Sequence, residues 1–262
     1  MYIDYLTDSI TRLIQIVNDN SSKVNETERN IALQMIKHLG EIPNASIQQV
    51  ADICYCSAAT ISRFVKRLNF ENFSTFRYKL ALDFFNSPKL NLKMPGEYQL
   101  EYADLKKEYL ELVKAQIDEL EKGIQMKEIE RAVDLLHEAQ TVLIYSHGDL
   151  DFREFQVDLV MHGKASWHVK GYSEMEKALD TLNDNTVIVA PLFSTQNGLQ
   201  NVEILHNRGI KMIIASRGNI NIYEKYADAF FKIKMSETKV DDYLIHLLFD
   251  ILSMHYRKKY MD

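Results

Sequence analysis

Apolar residues in the first part of the chain recur every three or four positions. Ile3, Leu6, Ile10, Leu13, Ile14 and Val17 fall on one face of a helix. Polar residues from Asn18 to Asn25 interrupt it. Asn25-x-x-Glu28 is then a capping box, opening a helix with Ile31, Ala32, Met35, Ile36 and Leu39 on one side. Gly40 ends that helix and Pro43 lies just beyond. Ser46-x-x-Gln49 is a second capping box, ahead of Ile47, Val50, Ala51 and Cys54. Ser57 is a third N-cap, ahead of Ile61, Phe64, Val65 and Leu68. Two short helices joined by Tyr55-Cys56-Ser57, with a small residue at Ala51 where they approach, have helix-turn-helix spacing.

The stretch from Asn86 to Gly96 holds two prolines and no periodicity, and predicts a linker. The chain is accordingly divided into residues 1–85, a linker at 86–97, and a second domain at 98–262. Leu105, Tyr109, Leu112, Val113, Gln116 and Leu120 predict a long helix, and a shorter one follows from Met126 to His137. Then the pattern changes. Val142–Tyr145, Trp167–Val169, Val187–Ala190, Met212–Ala215 and Phe230–Ile233 are short apolar runs. Helical patterns follow the first four, at about 150–162, 173–182, 196–208 and 220–226, with Ser173-x-x-Glu176 capping the second. Continuous apolar strands alternating with helices predict a parallel sheet covered on both faces. A last helix, Val240 to Tyr260, carries Leu244, Leu247, Leu248, Ile251 and Leu252 and ends in Arg257-Lys258-Lys259, cations that suit the C-terminal end of the helix dipole. So apolar a helix can also bury itself against a second subunit.

The expected fold is therefore an all-α helix-turn-helix bundle followed by a three-layer α/β domain with a five-stranded parallel sheet. Charge and composition narrow its chemistry. A formal net charge of −6 excludes attraction of the whole chain to nucleic acid, so a DNA site must be a local patch. Cys54 and Cys56 are the two cysteines, too few for a zinc site and too close for an ordinary disulfide. They suit a reducing cytoplasm and small packing roles. The N-terminus is acidic and helical in pattern, unlike a signal peptide, and no apolar run is long enough to span a membrane.

The local patch is on the Ser57–Leu68 helix. Its outward positions are Ser57, Ala58, Ala59, Thr60, Ser62, Arg63, Lys66 and Arg67, small and hydroxyl residues first and cations later. That order suits a helix whose N-terminus meets base edges and phosphate. Arg77 and Lys79 add cations between Phe70, Phe73 and Phe76, and Glu71 is the one acidic residue from Arg63 to Lys79. Ser46 marks the start of the preceding helix and joins the candidate DNA contacts. Thr60, Ser62 and Arg63 are the expected base readers, and the other cations the phosphate contacts.

Ser46-Ile47-x-x-Val50-Ala51, Ser57-x-x-Thr60-Ile61-x-Arg63-Phe64-x-x-x-Leu68 and Phe70-x-x-Phe73-x-x-Phe76 together resemble the N-terminal domain of the RpiR/MurR family of bacterial transcription regulators. Tyr55 and Asn69 stand where that family usually has glycine, in positions expected to adopt left-handed backbone. The second domain resembles the sugar isomerase (SIS) domain that follows it in the family. Ile144-Tyr145-Ser146-His147-Gly148, the run Leu205 to Ala215, and Tyr226-Ala227-Asp228 carry that likeness.

The resemblance implies a cytoplasmic regulator with no catalytic activity and no cofactor, which forms a homodimer or higher oligomer and binds a palindromic double-stranded DNA operator. It also implies control of sugar or amino-sugar genes and a sugar-phosphate effector. The effector would be held by hydroxyls and amides after the first and third strands, at Ser146, His147, Gly148, Asp149, Ser194 and Thr195. Where the family's third-strand motif is rich in serine, Ala190 to Thr195 keeps only Ser194 and Thr195. Asp149 and Asp151 place carboxylates where a phosphate would sit, or cap the helix starting near Leu150. His147, His162, His168 and His206 have no metal spacing, and Trp167 and the methionines are expected to pack. A SIS fold kept only as a dimerisation scaffold is the alternative reading, and a sugar-phosphate isomerase or lyase is the rival.

Overall fold

The computed structural model describes residues 8–19, 24–90, 93–94, 96, 99–146, 150–193, 196–217, 222–234 and 240–261. The chain divides into two compact units, Met1–Asn91 and Leu92–Asp262.

The first unit is helical: α1 (Asp8–Asn18), α2 (Glu26–Lys37), a 3-10 turn at Ile42–Asn44, α3 (Ile47–Ile53), α4 (Ala58–Arg67) and α5 (Phe73–Leu90). Ile3 and Leu6, assigned to the first helix from their spacing, lie outside the described residues. Both capping boxes form. The Asn25 side chain accepts from the Glu28 N–H at 2.9 Å, and Ser46 Oγ accepts from the Gln49 N–H at 3.3 Å while Gln49 Oε1 accepts from the Ser46 N–H at 2.7 Å. Leu13, Ile31, Met35, Val50, Ile61 and Phe76 meet in one buried core. A buried carboxylate ties the first helix to the last. Asp83 on α5 accepts from the Ser9 N–H at 2.9 Å and from the Ser9 hydroxyl, with Lys79 Nζ 3.7 Å away. α5 continues through Pro88 to Leu90, so helix enters the stretch whose composition marks a linker.

The second unit opens with α6 (Leu105–Gly123) and α7 (Met126–Glu138). It continues through β1 (Thr141–Ser146), α8 (Arg153–Met161), β2 (Ala165–Lys170), α9 (Gly171–Ala178), β3 (Thr186–Phe193), α10 (Gln196–Asn207), β4 (Lys211–Arg217), β5 (Ala229–Ile233) and α11 (Val240–Tyr260). The five strands form a parallel sheet in the order β2-β1-β3-β4-β5. Successive side chains of a strand point to opposite faces, and both faces are apolar. Val142, Ile144, Val187, Val189 and Ile213 pack with residues of α6, α7, α8 and α11. Leu143, Tyr145, Ile188, Ala190 and Met212 pack with α9 and α10.

The two edges are treated differently. At β5, Glu128 of α7 accepts the Phe230 N–H at 3.0 Å, which occupies one of the groups an edge strand leaves open. α6 ends against the same strand: a Cβ on Gly123 would lie 2.9 Å from the Lys232 carbonyl, so only glycine allows this approach. At β2 the edge is barer. Trp167, expected to pack, is 36 % exposed there.

Two local expectations are corrected. α9 begins at Gly171, directly after β2, so Ser173 is inside its first turn and does not cap it. The Lys170 N–H is instead taken by the Glu174 carboxylate at 2.8 Å. Gly171, at φ 73°, lets the strand turn into the helix without a loop. The helical pattern at 220–226 appears, among the described residues, as a 3-10 turn at Glu224–Tyr226.

Candidate nucleic-acid interface and ligand crevice

The candidate interface is built from two copies of one helix-ending device. After α3, the chain stops with Cys54 and turns at Tyr55, whose φ is 53°. The Tyr55 N–H reaches the Asp52 carbonyl at 3.2 Å and the Cys56 N–H reaches the Ala51 carbonyl at 2.9 Å. After α4, Leu68 ends the helix and Asn69 turns at φ 62°. Here the Asn69 N–H reaches Lys66 O at 2.9 Å and the Phe70 N–H reaches Val65 O at 3.2 Å. Both are Schellman motifs, which satisfy the last helical carbonyls through one left-handed residue. Left-handed backbone costs a non-glycine residue about 1–2 kcal/mol. Asparagine tolerates it better than most, and tyrosine has no such allowance.

Between the two motifs α4 buries Ile61, Phe64 and Val65. Its start is capped: Ser57 Oγ accepts from the Thr60 N–H at 3.1 Å and lies 2.9 Å from the Thr60 hydroxyl. Ser57, Ala59, Arg63, Lys66 and Arg67 are exposed, with Ala58, Thr60 and Ser62 half-buried beside them. Arg63 and Lys66 have no hydrogen-bond or ion-pair partner among the described residues.

The remaining candidates are engaged within the unit. Arg67 Nη1 is 2.6 Å from Glu28 Oε1 of α2. Arg77 donates to the Ala45 carbonyl at 2.9 Å and lies over the Phe73 ring. Lys79 faces the buried Asp83, and Ser46 is occupied by its capping box. Sequence spacing carries no signal for the partners of Arg67 and Arg77, which lie 39 and 32 residues away. Cys54 is buried and its thiol is pushed up to about 12 by burial and the neighbouring Cys56. Burial raises Cys56 as well, so both remain protonated thiols near neutral pH.

In the second unit the strand order reverses between β1 and β3, and parallel sheets bind ligands outside the carboxyl ends of the strands at such a point. His147, Gly148, Asp149, Ser194 and Thr195, assigned to this crevice, lie outside the described residues. Ser146 is described. It ends β1, is fully buried, and its Oγ lies 2.7 Å from His168 Nε2 on β2. The Phe152 ring meets His168 edge-on at 5.2 Å. Burial, then the nearby Lys170, hold His168 below its ordinary 6.5, so it stays neutral and can accept a hydrogen bond from the Ser146 hydroxyl. Asp151 holds the start of α8: its Oδ1 accepts from the Arg153 N–H at 2.9 Å and its Oδ2 pairs with the Arg153 guanidinium at 3.1 Å. Asp228 is structural too, pairing with Lys211 at 2.9 Å and accepting from the Met212 N–H at 3.0 Å. Among the described residues, no group of three or more His, Cys, Asp or Glu is placed to hold a metal ion. No described helix is long and apolar enough to cross a membrane.

Residues 11–87 match the family model of the helix-turn-helix domain of the rpiR family. No curated protein matches the sequence. Among solved structures, the chain is similar to the NanR protein of Vibrio vulnificus complexed with ManNAc-6P. The identity is 16 % over 95 % of this chain and 92 % of that one, with a TM-score of 0.50. It is also similar to a putative sugar-phosphate isomerase from Listeria monocytogenes, at 12 % identity over 62 % of this chain and 93 % of that one, with a TM-score of 0.50. At these identities the likeness is one of fold.

Proposed function

From the rpiR-family helix-turn-helix domain matched at residues 11–87 and the SIS-like α/β fold that follows it, we propose that the chain is an RpiR/MurR-type cytoplasmic DNA-binding transcription regulator without catalytic activity. The observation that carries this reading is the open face of α4. A capped helix presents Ser57, Ala59, Thr60, Ser62 and Arg63 from its N-terminal end, with Lys66 one turn further on. Arg63 and Ser62 read base edges, and Lys66 contacts phosphate. Arg67, Arg77 and Lys79 serve first to hold the unit together, and join the contact where their geometry allows both.

The second domain dimerises. Val157, Val160 and Met161 stand exposed at adjacent positions of α8, and Leu247 and Met254 are exposed on α11. A second copy of the chain is the occupant, because one self-complementary patch suffices for a two-fold dimer. The dimer sets two recognition helices about 34 Å apart on a palindromic operator. A sugar phosphate is the effector class for the switch-point crevice. It regulates by binding the DNA-competent and incompetent arrangements with different affinity. One observation favours the alternative of a scaffold without a ligand: the Ser146 hydroxyl is buried and turned to His168 rather than open to a ligand.

The test is DNA binding. A duplex selected by the protein from a random-sequence pool should bind with a steep salt dependence, and Arg63→Ala should cost about 1–3 kcal/mol of specific affinity. Absence of any selected duplex, or ketose–aldose isomerisation of a phosphosugar, would overturn the reading. A thermal-shift series with phosphosugars separates effector from scaffold, since a ligand at a hundredfold excess over its Kd stabilises the native state by about 2.7 kcal/mol.

A further inference from the structure

Tyr55 stands out once the two Schellman turns are compared. Both turns need a left-handed residue. The one after α4 uses asparagine, which tolerates that backbone, and the one after α3 uses tyrosine, at φ 53°. The strain is not offset by packing, because the Tyr55 side chain is 88 % exposed. No ring contact is formed by it, and its hydroxyl has no hydrogen-bond partner among the described residues. The fold would be served as well by glycine or asparagine. A large aromatic held outward against its backbone preference points to a use outside the unit.

Its position says which. Tyr55 is two residues before Ser57, the cap of α4, so the two Cα atoms are at most about 7 Å apart. Cys56 alone lies between Tyr55 and the cap of the helix read as entering the groove. We propose that Tyr55 is a DNA-contacting residue whose hydroxyl donates to a phosphodiester oxygen beside that groove. Tyrosine is among the side chains that make such positioning contacts, and a neutral donor differs from Lys66 in releasing no condensed counterion. The inference rests on the reading of α4 as the recognition helix.

The experiment compares wild type, Tyr55→Phe, Tyr55→Asn and Arg63→Ala on two duplexes, one selected by the wild type from a random pool and one of arbitrary sequence. Tyr55→Phe and Tyr55→Asn should each bind about 2–10-fold more weakly to both duplexes, the loss of one hydrogen bond. The slope of affinity against salt should stay at the wild-type value. Tyr55→Asn should unfold at a temperature no lower than wild type, because asparagine suits the turn. Wild-type affinity in both Tyr55 variants would overturn the inference. So would a reduced salt slope, which would place the effect on the cations instead. If Arg63→Ala weakens binding while the Tyr55 variants do not, this inference alone falls. If the wild type binds neither duplex, the regulator reading itself falls, and the inference with it.

Discussion

The α3–α4 region and the carboxyl end of β1 handle polar groups in opposite ways. Around α4 the groups at the helix ends face outward and are satisfied by neighbours three to five residues away, Ser57 by Thr60, Ser46 by Gln49 and the last carbonyls by the residues that follow them, while Arg67 is the exception that reaches Glu28 of α2. At β1 the polar group is buried, and its partner comes from another strand, 22 residues on, as with Ser146 and His168. Short-range satisfaction leaves a face free for a large, wet, charged partner. Long-range satisfaction consumes the group and stabilises the sheet. The comparison teaches that the first region keeps a polar and basic face open to solvent, while the one described residue of the second region's candidate crevice is organised for packing.

The largest expected effect lies outside the α3–α4 region but in the same unit, where a long-range contact is used. Asp83 is buried and joins α1 to α5 across 74 residues. Asp83→Ala should destabilise the first unit by about 3 kcal/mol in denaturant unfolding, because it leaves the Ser9 N–H and hydroxyl and Lys79 without their carboxylate. A loss well below 1 kcal/mol would mean that local signals alone hold these helices.

Next is the Ser146–His168 pair. Ser146→Ala should cost about 1 kcal/mol near neutral pH. The pair also makes stability depend on pH. His168 is held below 6.5 in the folded chain, so the unfolded chain binds the proton more readily. Its contribution is complete above pH 6.5 and is lost as the pH falls through the lower folded-state value. A His168→Gln variant should flatten that acid-side decline, and an unchanged pH profile would show that the imidazole is not shielded.

Ser57→Ala should cost about 1 kcal/mol of helix stability, the usual worth of an N-cap. Its equal in the other region, Asp151→Ala at the start of α8, should cost less, since Asp151 and Arg153 are exposed. The smallest effects separate cations by their partners. Lys66→Ala should lower the salt slope of DNA binding by about 0.9, whereas Arg77→Ala should leave it close to wild type because its guanidinium is committed to Ala45. Equal changes would show that both reach phosphate.

Much of the fold was legible in the sequence. The caps at Asn25, Ser46 and Ser57 and the left-handed turns at Tyr55 and Asn69 are local events, set by residues a few positions apart. The central strands β1, β3 and β4 were legible for a similar reason, since a strand buried on both faces must be apolar along its length, whereas the edge strand β2 is largely exposed and showed only the short run Trp167–Val169. Ser173 misled because a good cap sequence lost to geometry: Gly171 let the helix start earlier. Of the candidate site, the composition of the α4 face could be read directly. Which cations were already taken could not. Arg67 and Arg77 look alike in sequence, and their partners Glu28 and Ala45 are chosen by packing, whereas Lys79 and Asp83 are one helical turn apart on α5.

By itself, then, the sequence determined the order of the helices and strands, the caps of α2, α3 and α4, and which helix carries the outward basic face, because hydrophobic period, caps and turn residues act over a few residues. The tertiary structure decided the strand order 2-1-3-4-5, the pairing of Ser146 with His168, and the pinning of α1 by Asp83. It also left Arg63 and Lys66 open while the other cations were engaged. These outcomes depend on which distant groups the packed core brings within hydrogen-bond distance, and no local pattern encodes that.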